Sequence, residues 1–135
     1  MKNFSTDGFV TTVNGRIITD WGDTDPPFTD APIDPRSVLK RGLGGGAVRA
    51  DRKNPGRTVT LNLMPGSPDS AYVQGLFNSN ANITITRAQI GTLDSAVGTE
   101  GVIVNDGQVG RAGNRPTDDQ FMIELNSWTA LKGGT

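Results

Sequence analysis

Gly56-Arg57-Thr58-Val59-Thr60-Leu61-Asn62-Leu63-Met64 runs into Pro65-Gly66 and then Ser67-Pro68-Asp69, and this stretch decides the architecture. Val59, Leu61 and Leu63 fall on one side of an extended chain, while Thr58, Thr60 and Asn62 fall on the other. That two-residue period belongs to a strand with one buried face. Pro65-Gly66 ends it. Ser67 then stands as a helix N-cap with Pro68 at the first helical position, and Asp69 lies in the first turn, where its charge suits the helix dipole. The helix is expected to end near Asn78, with Ala71, Tyr72, Val73, Leu76 and Phe77 as its apolar stripe. Gly75 weakens it by up to about 1 kcal/mol relative to Ala and is read as a point of close packing.

Working outward, Asn54-Pro55-Gly56 makes a turn, preceded by residues 47–53, where Val48 and Ala50 alternate with Arg49, Asp51 and Lys53. These form a strand with one charged face, entered through a flexible turn of Gly42, Gly44, Gly45 and Gly46. Residues 9–19 read as two short strands joined at Asn14-Gly15, a dipeptide that supplies the positive-φ positions of a type I′ hairpin. After Trp21, residues 22–37 carry Pro26, Pro27, Pro32 and Pro35 together with Asp23, Asp25, Asp30 and Asp34. Proline removes ladder donors and pushes its predecessor out of helical space, so this segment is an extended loop or arm. Loops of that length are uncommon in compact domains, and here the arm reads as a surface meant for a neighbour. Downstream, residues 82–88 alternate Ile83 and Ile85 with Thr84 and Thr86. Residues 101–104 form a short β-branched run before Asn105-Asp106-Gly107. Residues 121–125 place Phe121, Ile123 and Leu125 opposite Met122, Glu124 and Asn126, with Trp128 close behind. The chain thus reads as strands, one helix, then strands, without an internal repeat.

Composition sets the bounds. The 135 residues form one expected domain, large enough to hold a core without disulfides or metal. Only 34% are hydrophobic, and 18 Gly with 8 Pro favour short strands and many turns over helix bundles. With neither Cys nor His, zinc sites of thiolate or imidazole are impossible, as are Ser-His-Asp and Cys-His nucleophile arrangements. Only carboxylate, Lys or Tyr chemistry remains, so no enzyme and no cofactor is expected. No run approaches the roughly 20 apolar residues that span a bilayer, and residues 1–10 lack the apolar core of a signal peptide. The expectation is a protein made and kept soluble in the cytoplasm, away from membranes. A net charge of −1 argues against a general nucleic-acid binder, for which a clearly basic domain is expected.

Several motifs invite chemistry and fail on context. Gly42-Leu43-Gly44-Gly45-Gly46-Ala47 fits G-x-G-x-x-G/A formally, but a charged strand follows it where a helix is needed. Asp23, Asp25 and Asp30 could feed oxygens to Ca²⁺, yet the loop lacks the glycine and terminal Glu of an EF-hand. Adjacent Asp118 and Asp119 would point to opposite faces of a strand and read as turn or strand-entry residues; Glu124 needs no more than an exposed strand face. Arg49, Arg52, Lys53 and Arg57 form the strongest basic cluster, with Arg111 and Arg115 a second. No aromatic lies between Phe28 and Tyr72 to interleave with the first for base stacking, so an electrostatic match to acidic loops of another subunit is at least as good a reading. Trp21 and Trp128 are read as core before interface.

With these pieces in order, the chain resembles the tail tube proteins of contractile-tailed bacteriophages, the small family that accompanies the tail sheath protein. The resemblance rests on the N-terminal hairpin followed by Trp21, on the glycine-rich turn and polar strand of residues 44–53, and most specifically on residues 56–64 followed by Ser67-Pro68-Asp69 and the helix. It implies a mainly β fold with one α-helix, a small β-sandwich or barrel-like domain that assembles into closed, six-fold rings. The rings would stack into a rigid tube that conducts the genome and the tape-measure protein, alongside sheath and baseplate partners, in the tail of a virion. No catalysis is implied. Strands would pair edge to edge around each ring, and a lumen of polar or acidic side chains would let DNA pass without sticking. On this reading Asp23, Asp25, Asp30 and Asp34 are candidates for stacking contacts with Arg49, Arg52 or Lys53. Thr58, Thr60, Asn62, Thr84 and Thr86 are candidates for the lumen. A baseplate or tail-terminator ring, and an OB-like module for single-stranded nucleic acid, stay open beside it.

Overall fold

A computed structural model describes Phe4 and residues 6–133. After a short 3₁₀ turn, Thr6–Gly8, the strands are β1 (Phe9–Val13), β2 (Arg16–Ile18), β3 (Phe28–Pro32), β4 (Ser37–Arg41), β5 (Ala47–Asp51) and β6 (Arg57–Leu63). The helix α1 (Pro68–Asn78) leads to β7 (Ile83–Gln89), β8 (Ser95–Asp106) and β9 (Asp119–Leu131). Seven strands form one antiparallel sheet in the order β2-β1-β7-β8-β9-β6-β3, and among the described residues β4 and β5 pair only with each other.

The β1–β2 hairpin turns at Asn14 and Gly15, with φ of 51° and 86°, as the Asn-Gly dipeptide predicts. On β6, Val59, Leu61 and Leu63 are fully buried. They meet Val13 and Ile18 from the hairpin, Ile83 and Ile85 from β7, Ile103 from β8, and Phe121, Ile123 and Leu125 from β9. Ser67 caps α1 by accepting from the Ser70 N–H at 3.2 Å, and the helix sends Val73 into this core with Tyr72, Leu76 and Phe77 half-buried beside it. Ala71 and Gly75 face outward. A Cβ built on Gly75 would meet nothing within 4 Å, so the close packing expected there does not occur within the chain.

The sheet rolls into a barrel-like shape. Phe9 of β1 and Phe28 of β3, far apart in strand order, have ring centroids 5.4 Å apart, and Trp21 joins both. The fold is therefore mainly β with one helix, as expected. Residues 22–37 are extended, but Phe28–Pro32 belongs to the main sheet, pairing with β6 from Phe28↔Leu61 to Pro32↔Arg57. Proline is tolerated there because β3 is an edge strand, where a missing N–H breaks no ladder on the free side. The irregular parts are residues 22–27 and 33–36, the first pinned by the Asp118 carboxylate, which accepts from the Thr24 N–H at 2.9 Å and its hydroxyl at 2.6 Å.

Three elements exceed the sequence reading. Residues 37–41 are a strand, β4. β8 begins at Ser95 and takes in Asn105 and Asp106, which the sequence reads as a turn, and β9 continues to Leu131. Gly98 and Gly101 hide the first half of β8 from a pattern search, yet both are required. A Cβ at Gly101 would lie 2.3 Å from Leu125 Cδ2, and one at Gly98 2.7 Å from the Trp128 ring.

Candidate assembly surfaces

The β4–β5 hairpin stands off the barrel. All ten strand residues are exposed, including Val38, Leu39 and Val48, and Leu43 at the tip is fully solvent-accessible. The glycine run closes it as a turn, with the Gly42 N–H donating to Gly46 O at 2.8 Å and Gly45 at a φ of 89°. The structure thus makes the formal dinucleotide motif a hairpin tip. Residues 36–53 hold six of the thirteen cationic side chains (Arg36, Lys40, Arg41, Arg49, Arg52, Lys53) and one of the fourteen acidic ones. The segment carries +5 against −6 for the remainder of the chain. Asp51, the one acid, is held below the usual carboxylate range by hydrogen bonds from the Ser37 hydroxyl and Arg49.

The four aspartates of the arm have different fates. Asp30 turns inward: it accepts from the Arg57 Nε at 2.9 Å and pairs with Arg87 at 3.1 Å, and Arg87 reaches Asp94 at 2.6 Å. Trp128 lies 5.7 Å from the Arg57 guanidinium and 5.9 Å from that of Arg87. With the Asp30 side chain only 10% exposed, this lattice ties edge strand β3 to β6 and β7 across the barrel. Such pairs cost much to break, because removing one member leaves its partner's charge buried. Asp34 meets Arg52 at 3.8 Å at the exposed root of the hairpin, and Asp23 meets Arg115 at 2.5 Å on the surface. Asp25 and Lys53 are exposed and form no ion pair among the described residues. Nor, among those residues, do three acidic side chains converge as a metal site.

Thr58, Thr60, Thr84 and Thr86 all face away from the core, and the ladder continues their surface. Thr60 pairs with Thr29 and Met122, Thr58 with Ala31 and Glu124, and Thr86 with Thr12 and Val97. Asn62 shares their side of β6 but is 7% exposed, covered by the start of the arm, where it donates to Pro27 O at 3.3 Å. In β1, β3 and β6 to β9 the only cationic residues are Arg57 and Arg87, both turned inward to Asp30. The outward face is therefore uncharged apart from the acids Glu100 and Glu124. Sequence periodicity separated the two faces of each strand. It could not show that the four threonines from β6 and β7 lie on the outward side of one sheet with β8 and β9 between them, which depends on strand order.

No family model and no curated protein matches the chain. Solved structures do, and three of them show the match over nearly its whole length. One is the anti-feeding prophage tube-terminating cap, 14% identical with a TM-score of 0.61, covering 98% of this chain and 93% of that one. The second is a chain of the sheath–tube complex of the PVC extracellular contractile injection system in its extended state, 12% identical with a TM-score of 0.59, covering 96% and 92%. The third is a chain of the anti-feeding prophage baseplate, described as six-fold symmetrised, 9% identical with a TM-score of 0.54, covering 94% and 93%. At such identities the likeness is one of fold. The chain has the fold found in the tube, tube-terminator and baseplate assemblies of contractile injection systems, as its resemblance to the contractile tail tube family implied.

Proposed function

We propose that this chain is a non-enzymatic structural subunit of a contractile tail or related injection particle. It builds the inner tube by forming closed rings, six-fold on the resemblance, that stack into a conduit for the particle's genome or cargo. The observation that carries this reading is the cationic β4–β5 hairpin held clear of an acidic barrel, since a strand pair with every residue exposed has its packing partner outside the chain. Strands β2 and β3 each pair on one side only among the described residues, leaving two edges for neighbours in a ring. The cation-free outward face bearing Thr58, Thr60, Thr84 and Thr86 suits a lumen, because lysine and arginine there would retard a polyanion. The cationic hairpin residues Arg49, Arg52 and Lys53, with the acids Asp23, Asp25 and Asp34, form the stacking contacts; Asp30 acts by fixing β3. Partners are further copies of the chain, the sheath, the tape-measure protein and the baseplate, and the location is the particle.

A second reading, a single terminator or baseplate ring, is favoured by one fact. The cap and baseplate chains match about as well as the sheath–tube chain, with TM-scores of 0.61 and 0.54 against 0.59. Negative-stain electron microscopy of the purified protein over a concentration series, with light scattering, separates the two. Hollow tubes or stacked rings support the tube, and discrete single rings the terminator or baseplate. A strictly monomeric species at high concentration overturns both and directs attention to retention on a DNA column.

A further inference from the structure

We infer that the cleft lined by Phe9, Trp21 and Phe28 receives Leu43, at the hairpin tip of a second copy of this chain. The inference rests on the self-assembly proposed above and names its contact. The cleft encloses about 400 Å³ at one end of the barrel, and Asp23 and Asp25 line it together with the three aromatic rings. Pockets that take a specific occupant are concave and mostly apolar with a few polar groups, and span roughly 300–1,000 Å³. Phe4, 62% exposed, lines the same cleft, so an incoming side chain packs beside it.

Leu43 has the complementary form. It is 111% exposed relative to a free residue, stands between Gly42 and Gly44, which put no side chains beside it, and follows Lys40 and Arg41. An isolated apolar tip on a cationic stem matches an apolar cleft with an acidic rim, on which Asp25 forms no ion pair among the described residues. Position also fits a second copy. Phe28, in the cleft, opens β3, whereas the hairpin springs from beyond Pro32 at its other end, where the Arg52 N–H donates to Arg36 O at 2.7 Å. Donor and acceptor are therefore set roughly 13 Å apart along the strand at about 3.3 Å per residue. The hairpin itself projects about 17 Å more by the same rise. Engaged head to tail, two different patches of one chain in contact make a heterologous interface, which repeats from copy to copy.

The chain has no cysteine, which makes cross-linking specific. Leu43→Cys is mixed with Thr24→Cys, at the cleft rim, and separately with Asn78→Cys, on the exposed end of α1. A disulfide forms readily only when the two Cα atoms come within about 7 Å. The expected result is at least about tenfold faster dimer formation in the first mixture than in the second; equal rates overturn the docking. Electron microscopy of the same samples keeps the two proposals apart. Tubes or rings without preferential cross-linking reject the cleft and leave the tube, whereas preferential cross-linking without assemblies supports the cleft and counts against the tube. Leu43→Asp, at a position that touches nothing in the isolated chain, should raise the concentration at which assembly begins by about tenfold. An unchanged onset overturns the inference.

Discussion

Asp69 shows how one side chain joins distant parts of the fold. At 2% exposure it accepts from Arg16 Nε at 2.9 Å, the Thr19 N–H at 2.8 Å and the Asp20 N–H at 3.0 Å, fastening the end of the first hairpin to the start of α1. Burial pushes its carboxyl up, but these hydrogen bonds together outweigh burial and hold it below the usual carboxylate range. Since the folded pKa lies under the unfolded value of about 3.9, the unfolded chain binds the proton first as the solution is acidified. The stabilisation is then complete above about pH 5 and is lost as pH falls through the folded pKa. Asp69→Asn is expected to cost about 1.5–3 kcal/mol at pH 7, the range for hydrogen bonds to a charged group. The gap to the parent should narrow by pH 3. Urea unfolding followed by tryptophan fluorescence at pH 7, 5 and 3 measures this, and a gap independent of pH would remove the charge from the explanation. The sequence alone identified Asp69 as a first-turn acid, because that role depends on its neighbours in the chain. Its larger role depends on Arg16, Thr19 and Asp20, some fifty residues away in sequence.

At the scale of elements, β1, β2, β6, β7 and α1 were legible because each carries a local rule: an Asn-Gly turn, an alternation of faces, a Ser-Pro-Asp cap. The first half of β8 was not, since Gly98, Glu100 and Gly101 interrupt the alternation, and the glycines are there to make room for Leu125 and Trp128 on β9. Strand β4 was also hidden: it buries neither face, and with Val38 beside Leu39 it lacks the alternation that let the equally exposed β5 be read. That same lack of burial yields a prediction. Because β4 and β5 contribute nothing to the core, replacing residues 37–51 by a two-residue Asn-Gly turn on the Arg36–Arg52 pair should leave the barrel intact. Its unfolding free energy should stay within about 1 kcal/mol of the parent, as for other changes remote from buried features. Light scattering should show assembly abolished. A shortened chain that still stacks into tubes would place the packing partner of the tube elsewhere, and one that unfolds would give the hairpin a structural role its exposure does not suggest.

For the whole molecule, the decisive property is the separation of charge within a chain that is nearly neutral. A net charge of −1 conceals +5 on residues 36–53 and −6 on the rest. Read from composition, the balance excluded a strongly basic binder; read on the structure, it gives the chain a cationic projection and an acidic remainder, the polarity that the proposed stacking would use. The candidate surfaces were thus legible in residue type but not in grouping, since Asp30 is drawn inward by Arg57 and Arg87 while Asp25 forms no ion pair among the described residues. Contacts built this way respond to salt in a definite direction. The Debye length shortens from about 10 Å at 0.1 M to about 3 Å at 1 M, so exposed charges across an interface lose most of their attraction over that interval. Kosmotropic sulfate adds a second arm, because it strengthens apolar burial. With the hairpin stem held by charge and its tip by apolar contact, moving from 0.05 M to 0.5 M NaCl should slow association and raise the assembly threshold by about tenfold. Leu43→Asp should remain the weaker assembler at both salt concentrations, whereas Lys40→Glu combined with Arg41→Glu should lose the salt dependence. Sedimentation of the three chains at both concentrations checks it. A threshold that falls with NaCl would mean that apolar contact alone holds the copies together and that the charge separation serves something other than stacking.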